Sequence, residues 1–135
     1  MHETLRGSEL PSVMALAYLG DAVHSLYVRR MLVERGVCKS GELNRLSRLY
    51  VTAEAQSKMM QRIQGELLPD EADVCRRAQN STHLNKPKHA KLSEYRLATG
   101  FEALIGMLEW LGDTERIKYL LEIANTEINE NDTED

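Results

Sequence analysis

Met14–Arg30 reads MALAYLGDAVHSLYVRR, and this stretch decides the fold class. Leu16, Leu19, Val23, Leu26, Tyr27 and Arg30 recur at spacings of three and four, the period of one helix face. The apolar residues extend well beyond that stripe, which predicts a helix buried on more than one side. Asp21 lies outside the stripe, with Ala17 and Ser25 one turn away and no Lys or Arg at that spacing. A carboxylate in so apolar a setting is costly unless it is paired or bound to a cation.

The elements on either side are also helical. Pro11 suits a first turn, Ser8 or Glu9 is the expected cap, and the helix is expected to run to about Arg35 and stop at Gly36. Lys39–Tyr50 reads as a second helix with Leu43, Leu46 and Leu49 on one face and Ser40 as its cap. Thr52 caps a third through Ile63, with Met59, Met60 and Ile63 apolar. Gly65 and Pro69 break the pattern, and a short helix follows from Glu71 to about Ala78. Its first turn is acidic and its last carries Arg76 and Arg77, as the helix dipole favours. Asn80–His89 reads as a loop around Pro87. Leu92–Leu111 returns to helical periodicity, Gly112 ends it, and Asp113 caps a last helix to about Ala124. With no alternating strand pattern, the chain is expected to be all-α: one domain over residues 1–124 and an acidic, disordered tail over 125–135.

Composition narrows the function. The chain has 135 residues and a net charge of −4, but its last fourteen residues hold six acids and no Lys or Arg. Taking those six charges away leaves a body of +2. Cys75–Arg96 contains Arg76, Arg77, Lys86, Lys88, Lys91 and Arg96 against Glu94 alone, a basic segment suited to a nucleic-acid backbone. No apolar run is long enough for a membrane span, and the N-terminus lacks a secretory pattern. Cys38 and Cys75 have no metal-ligand spacing and read as reduced thiols of a cytoplasmic protein. His24, His83 and His89 read as scattered surface or loop residues, and Tyr18, Tyr27 and Tyr95 as half-buried packing residues.

Glu102 repeats the situation of Asp21, a carboxylate among small and apolar residues in the middle of a core helix. If the two helices pack, two like charges meet, and a divalent cation with oxygen ligands relieves the repulsion. Either acid alone fits a solvated residue or a distant arginine partner better than a metal. The two together leave both readings open.

At these residues the chain resembles a known family. Leu16-Ala-Tyr-Leu-Gly-Asp-Ala-Val23 resembles the ribonuclease III signature helix, whose core is Leu-Glu-Phe-Leu-Gly-Asp-Ala/Ser, and Phe101-Glu-Ala-Leu-Ile-Gly106 resembles the family's second catalytic block. Tyr95–Gly106 and Arg76-Arg-Ala-Gln-Asn80 are similar to the mini-ribonuclease III branch, which consists of the catalytic domain without a double-stranded-RNA-binding domain. Ala78 and Gln79 stand where that branch has Gly and a basic residue. The resemblance covers about Leu10 to Ala124. It implies an endoribonuclease acting on double-stranded RNA, with Mg²⁺ (Mn²⁺ as a substitute) held by Asp21 and Glu102 as catalytic residues. It further implies products with 5′-phosphate and 3′-hydroxyl ends, a homodimer, and a large-subunit (23S) ribosomal RNA precursor as substrate with a ribosomal protein assisting. Arg76, Arg77, Asn80, Lys86, Lys88 and Lys91 are the expected RNA-binding residues. Ala17 and Thr99 depart from the larger relatives, which place further carboxylates there. The alternatives are a silent ribonuclease III fold serving as an RNA-binding or ribosome-associated module, and an all-α interaction protein whose buried acids are merely paired.

Overall fold

The computed structural model describes residues 10–81, 91–126, 128 and 130, and among these the regular structure is helical throughout. Six α-helices follow in order: α1 Val13–Glu34, α2 Ser40–Val51, α3 Ala53–Ile63, α4 Pro69–Asn80, α5 Leu92–Trp110 and α6 Thr114–Ala124. A 3₁₀ turn, Gln64–Glu66, links α3 to α4.

Local chemistry accounts for the ends. Thr52 accepts from the Ala55 amide at 3.2 Å and Asp113 from that of Arg116 at 3.2 Å, as their positions predict. Gly36 and Gly112 take φ of 90° and 76°, the left-handed conformation that closes α1 and α5. Two starts differ from expectation. Ser12, not Ser8 or Glu9, caps α1 through its hydroxyl on the Ala15 amide at 3.1 Å. Ser40 is the first helical residue of α2, and Lys39 occupies the cap position. At α4, Pro69 sits in the first turn and the buried Glu71 carboxylate reaches back to the Leu68 amide at 2.9 Å. The same carboxylate receives two hydrogen bonds from Arg116 of α6, at 2.8 and 2.9 Å, which ties α4 to α6.

The centre of the molecule is α5. Every residue from Ala98 to Leu108 is buried except Glu102, and the helix is surrounded by α1, α3, α4 and α6. Its longest interface is with α1, where Gly20 and Gly106 lie in the crossing. A Cβ at Gly20 would stand 1.7 Å from the Glu102 carbonyl oxygen, and one at Gly106 would stand 1.8 Å from that of Leu16. The two backbones meet because neither glycine has a side chain to hold them apart.

This close approach sets the core face of α1. Leu16, Ala17, Gly20, His24, Val28 and Leu32 are buried. The expected stripe is therefore misplaced: Leu19, Val23 and Tyr27 are half-buried, while Leu26 and Arg30 face solvent. Tyr18, expected to be half-buried, is 85 % exposed. A helix apolar on most sides has no single face for periodicity to find, and small residues rather than large ones mark the contact with α5.

Among the described residues of the tail, Ile128 packs on the core, and Glu130 accepts from Arg35 and from the Tyr50 hydroxyl. The expected Asn80–His89 loop lies outside the described residues from residue 82 onward, apart from Asn80, which ends α4, and Ser81.

Candidate active site

Asp21 and Glu102 come together at the glycine crossing. Gly20 precedes Asp21, and its contact is the carbonyl of Glu102 itself, so the approach that brings α1 onto α5 also brings the two acids face to face. Their carboxyl groups are in hydrogen-bond contact. Asp21 opens to solvent, whereas Glu102 is largely covered. Burial first, then the Asp21 carboxyl, pushes the Glu102 acid up to about 8. Glu102 thus keeps its proton at neutral pH.

Behind the pair lies a polar chain that the sequence did not announce. Gln56, from α3, draws the Glu102 acid part of the way down. The Gln56 amide nitrogen is also 3.1 Å from Nδ1 of His24, one turn beyond Asp21. His24 was expected at the surface. It is fully buried, its ring edge-on to Phe101 at 5.1 Å, and burial holds it neutral with its acid lowered to about 4. Nothing around Gln56 in the chain marks it. The signal available for His24 was its place in the series Leu16, Gly20, His24, Val28 and Leu32, once Gly20 is taken as the contact.

The donor set fits a hard divalent cation. Among the described residues the influences on Glu102 are burial, Asp21 and Gln56, with no cationic side chain, so without a cation the pair is relieved only by the proton that Glu102 keeps. Among the described residues no third His, Cys, Asp or Glu joins them as a ligand cluster. Ala17 is buried, and the Thr99 hydroxyl is spent on the Tyr95 carbonyl at 2.9 Å. A cation here would hold on to water and bind weakly, as Mg²⁺ does with few carboxylates.

Of the expected RNA-binding residues, Arg76, Arg77 and Asn80 lie on the exposed side of α4, and Lys91 is exposed before α5. Arg76 and Arg77 both pair with Asp73, an acid just upstream of the basic segment, which reduces their net charge. The end of α4 adjoins the start of α1, where the Ser81 hydroxyl meets the Met14 sulfur at 3.3 Å. Lys86 and Lys88 lie outside the described residues.

The model for the Ribonuclease III domain matches residues 14–112, and the chain belongs to that family. Within it, the chain is 40 % identical to the mini-ribonuclease 3 of Symbiobacterium thermophilum over 111 residues, 82 % of this chain and 85 % of that one. It is also 40 % identical to the mini-ribonuclease 3 of a Thermoanaerobacter species, over 88 % of this chain and 84 % of that one. A crystal structure of a protein from Fusobacterium nucleatum superposes with a TM-score of 0.78 at 31 % identity, covering 88 % of this chain and 96 % of the other. The chain is an endoribonuclease of the mini-ribonuclease III type, in a family that acts on double-stranded RNA and depends on divalent metal. No helix among the described residues is long and apolar enough to cross a membrane.

Proposed function

We propose that this protein is a Mg²⁺-dependent endonuclease that cuts both strands of an RNA duplex as a homodimer in the cytoplasm, with the large-subunit ribosomal RNA precursor as its substrate. The carrying observation is the contact between Asp21 and Glu102, with no cationic side chain among the described residues to neutralise it. Asp21, open to solvent, would meet the cation from the substrate side, and Glu102 would hold it from within. Bound there, Mg²⁺ supplies a lowered pKa for an attacking water and neutralises charge on the phosphate; Mn²⁺ meets the same oxygen donors. Burial of Glu102 keeps its carboxyl fixed, while Gln56 opposes its loss of charge.

The homodimer is supported by α1. Met14, Tyr18, Leu26 and Val33 are large, apolar and exposed on the helix that carries Asp21. Covering them with a second copy would remove that surface from water and set two sites side by side, one for each strand. Arg76, Arg77, Asn80, Lys86, Lys88 and Lys91 would grip phosphates, since duplex RNA is read chiefly by shape and backbone.

A long RNA duplex with and without Mg²⁺, for wild type and Asp21→Asn, tests the reading. Cleavage to 5′-phosphate and 3′-hydroxyl ends by wild type alone is expected. Binding without cutting by wild type would make the protein a silent RNA-binding module, and cutting that survives Asp21→Asn would remove Asp21 from the site. Lys86, Lys88 and Lys91 changed together to Ala should weaken RNA binding and flatten its salt dependence; an unchanged salt slope would take that segment off the RNA surface.

A further inference from the structure

Among the described residues, the half-buried arginines are Arg45, Arg62, Arg96 and Arg116. All but Arg96 are answered from within the chain. Arg45 pairs with Glu42 at 2.8 Å and donates to the Glu130 carbonyl at 3.1 Å. Arg62 donates to the Ala124 carbonyl at 2.7 Å, and Arg116 pairs with the buried Glu71 at 2.8 Å. The Nε of Arg96 is covered and has no hydrogen-bond partner, while its terminal nitrogens remain open. The residues one turn away on α5 are Leu92, Ser93, Thr99 and Gly100, with no acid among them. Covering part of a guanidinium without a partner costs free energy that a methionine of similar reach would avoid.

The place of Arg96 points to a partner from outside. Gly100 follows one turn later on the same side of α5. A Cβ at Gly100 would stand 3.0 Å from the Gln79 side-chain nitrogen and 3.2 Å from the Cys75 carbonyl oxygen, both of α4. Arg96 therefore lies on the flank of α5 that looks toward α4, whose Arg76, Arg77 and Asn80 are exposed. Arg76 and Arg77 are neutralised by Asp73, and Arg96 is not. Glu102 comes six residues later on the same helix, about 9 Å along its axis. A guanidinium with a packed stem has lost much of its freedom before a ligand arrives, and its fork matches two phosphate oxygens.

We propose that Arg96 is a substrate-binding residue: it grips a backbone phosphate of the RNA duplex close to the scissile one and fixes the strand relative to Glu102. The inference rests on the reading of the protein as a nuclease of duplex RNA.

The test measures duplex binding over a range of salt in chelator, where nothing is cut, and single-turnover cleavage in Mg²⁺ at saturating enzyme. Arg96→Met keeps the stem and removes the charge; Arg96→Lys keeps the charge and removes the fork. Arg96→Met should fold with a urea midpoint no lower than wild type and bind duplex about 10–100-fold more weakly. Its slope of log affinity against log salt should be shallower by about one. Arg96→Lys should keep the wild-type slope and regain only part of the affinity. Both variants should cut at least about tenfold more slowly even at saturation, because the strand is misplaced. Wild-type affinity and slope in Arg96→Met would assign the side chain to packing and overturn the proposal. Lost affinity with an unchanged saturating rate would refute the placement of the phosphate near Glu102. Should Arg96→Met fail to fold, Arg96→Lys decides alone, and wild-type affinity and rate there would overturn the proposal. Wild type that binds duplex without cutting it would sink the nuclease reading and leave Arg96 to be judged by binding. Wild type that binds no duplex overturns both.

Discussion

Replacing Gly20 by alanine adds one methyl group where two helix backbones touch. That Cβ would lie 1.7 Å from the Glu102 carbonyl oxygen, 2.7 Å from its carbonyl carbon and 2.8 Å from the Gly106 nitrogen. Real Cβ contacts essentially never fall below 3.0 Å, so α1 and α5 must part by at least about 1.3 Å at this point. No rotamer relieves the clash, because every obstructing atom is backbone. Overpacking a core costs about 1–3 kcal/mol when side chains can adjust, so the expected loss is about 3 kcal/mol or more. The same displacement carries Asp21 away from Glu102, and misplacement by an ångström is worth about 100-fold in rate. Urea denaturation gives the first quantity, and Mg²⁺-dependent cleavage of duplex RNA, measured where the variant is still folded, gives the second. Gly41→Ala is the control: that glycine is helical and exposed with nothing within 4 Å, so alanine there should stabilise by roughly 0.5–1 kcal/mol. A Gly20→Ala protein as stable and as active as wild type would refute the glycine crossing as the device that assembles the site.

Glu102 has its acid raised from 4.5 to about 8, so the folded, metal-free protein holds a proton that the unfolded chain releases above pH 4.5. Stability in chelator should therefore fall as pH rises through the window from 4.5 to 8, by roughly 3 kcal/mol at pH 7, and Glu102→Gln should abolish both that slope and cleavage. Equal pH dependence of the denaturation midpoint in the two proteins would show that Glu102 is not the group concerned. Glu71→Ala should cost about 3–5 kcal/mol in urea denaturation, because it leaves Arg116 and the Leu68 amide without a buried carboxylate. A loss below about 1 kcal/mol would mean that α6 is held by its apolar face alone.

Much of the helical layout follows from residues that act on their immediate neighbours. Thr52, Asp113, Gly36, Pro69 and Gly112 set helix ends through hydrogen bonds or backbone angles within a turn, and their positions are legible in the chain. Asp21 and Glu102 were also legible, as acids where apolar residues belong, and their contact follows once the helices pack. Which face of α1 packs was not. Its apolar residues surround the helix, and the choice of Gly20 over Leu26 depends on Gly106, 86 positions along the chain, offering a matching gap. His24 and Gln56 were hidden for the same reason. They are 32 residues apart, each unremarkable among its neighbours, and they become partners because α1 and α3 both pack against α5. The sequence by itself determined that the chain is helical, where most helices end, and which two acids stand where apolar residues belong. The tertiary structure decided what stands behind those acids, because burial and hydrogen-bond reach are properties of the packed helices and of no single one.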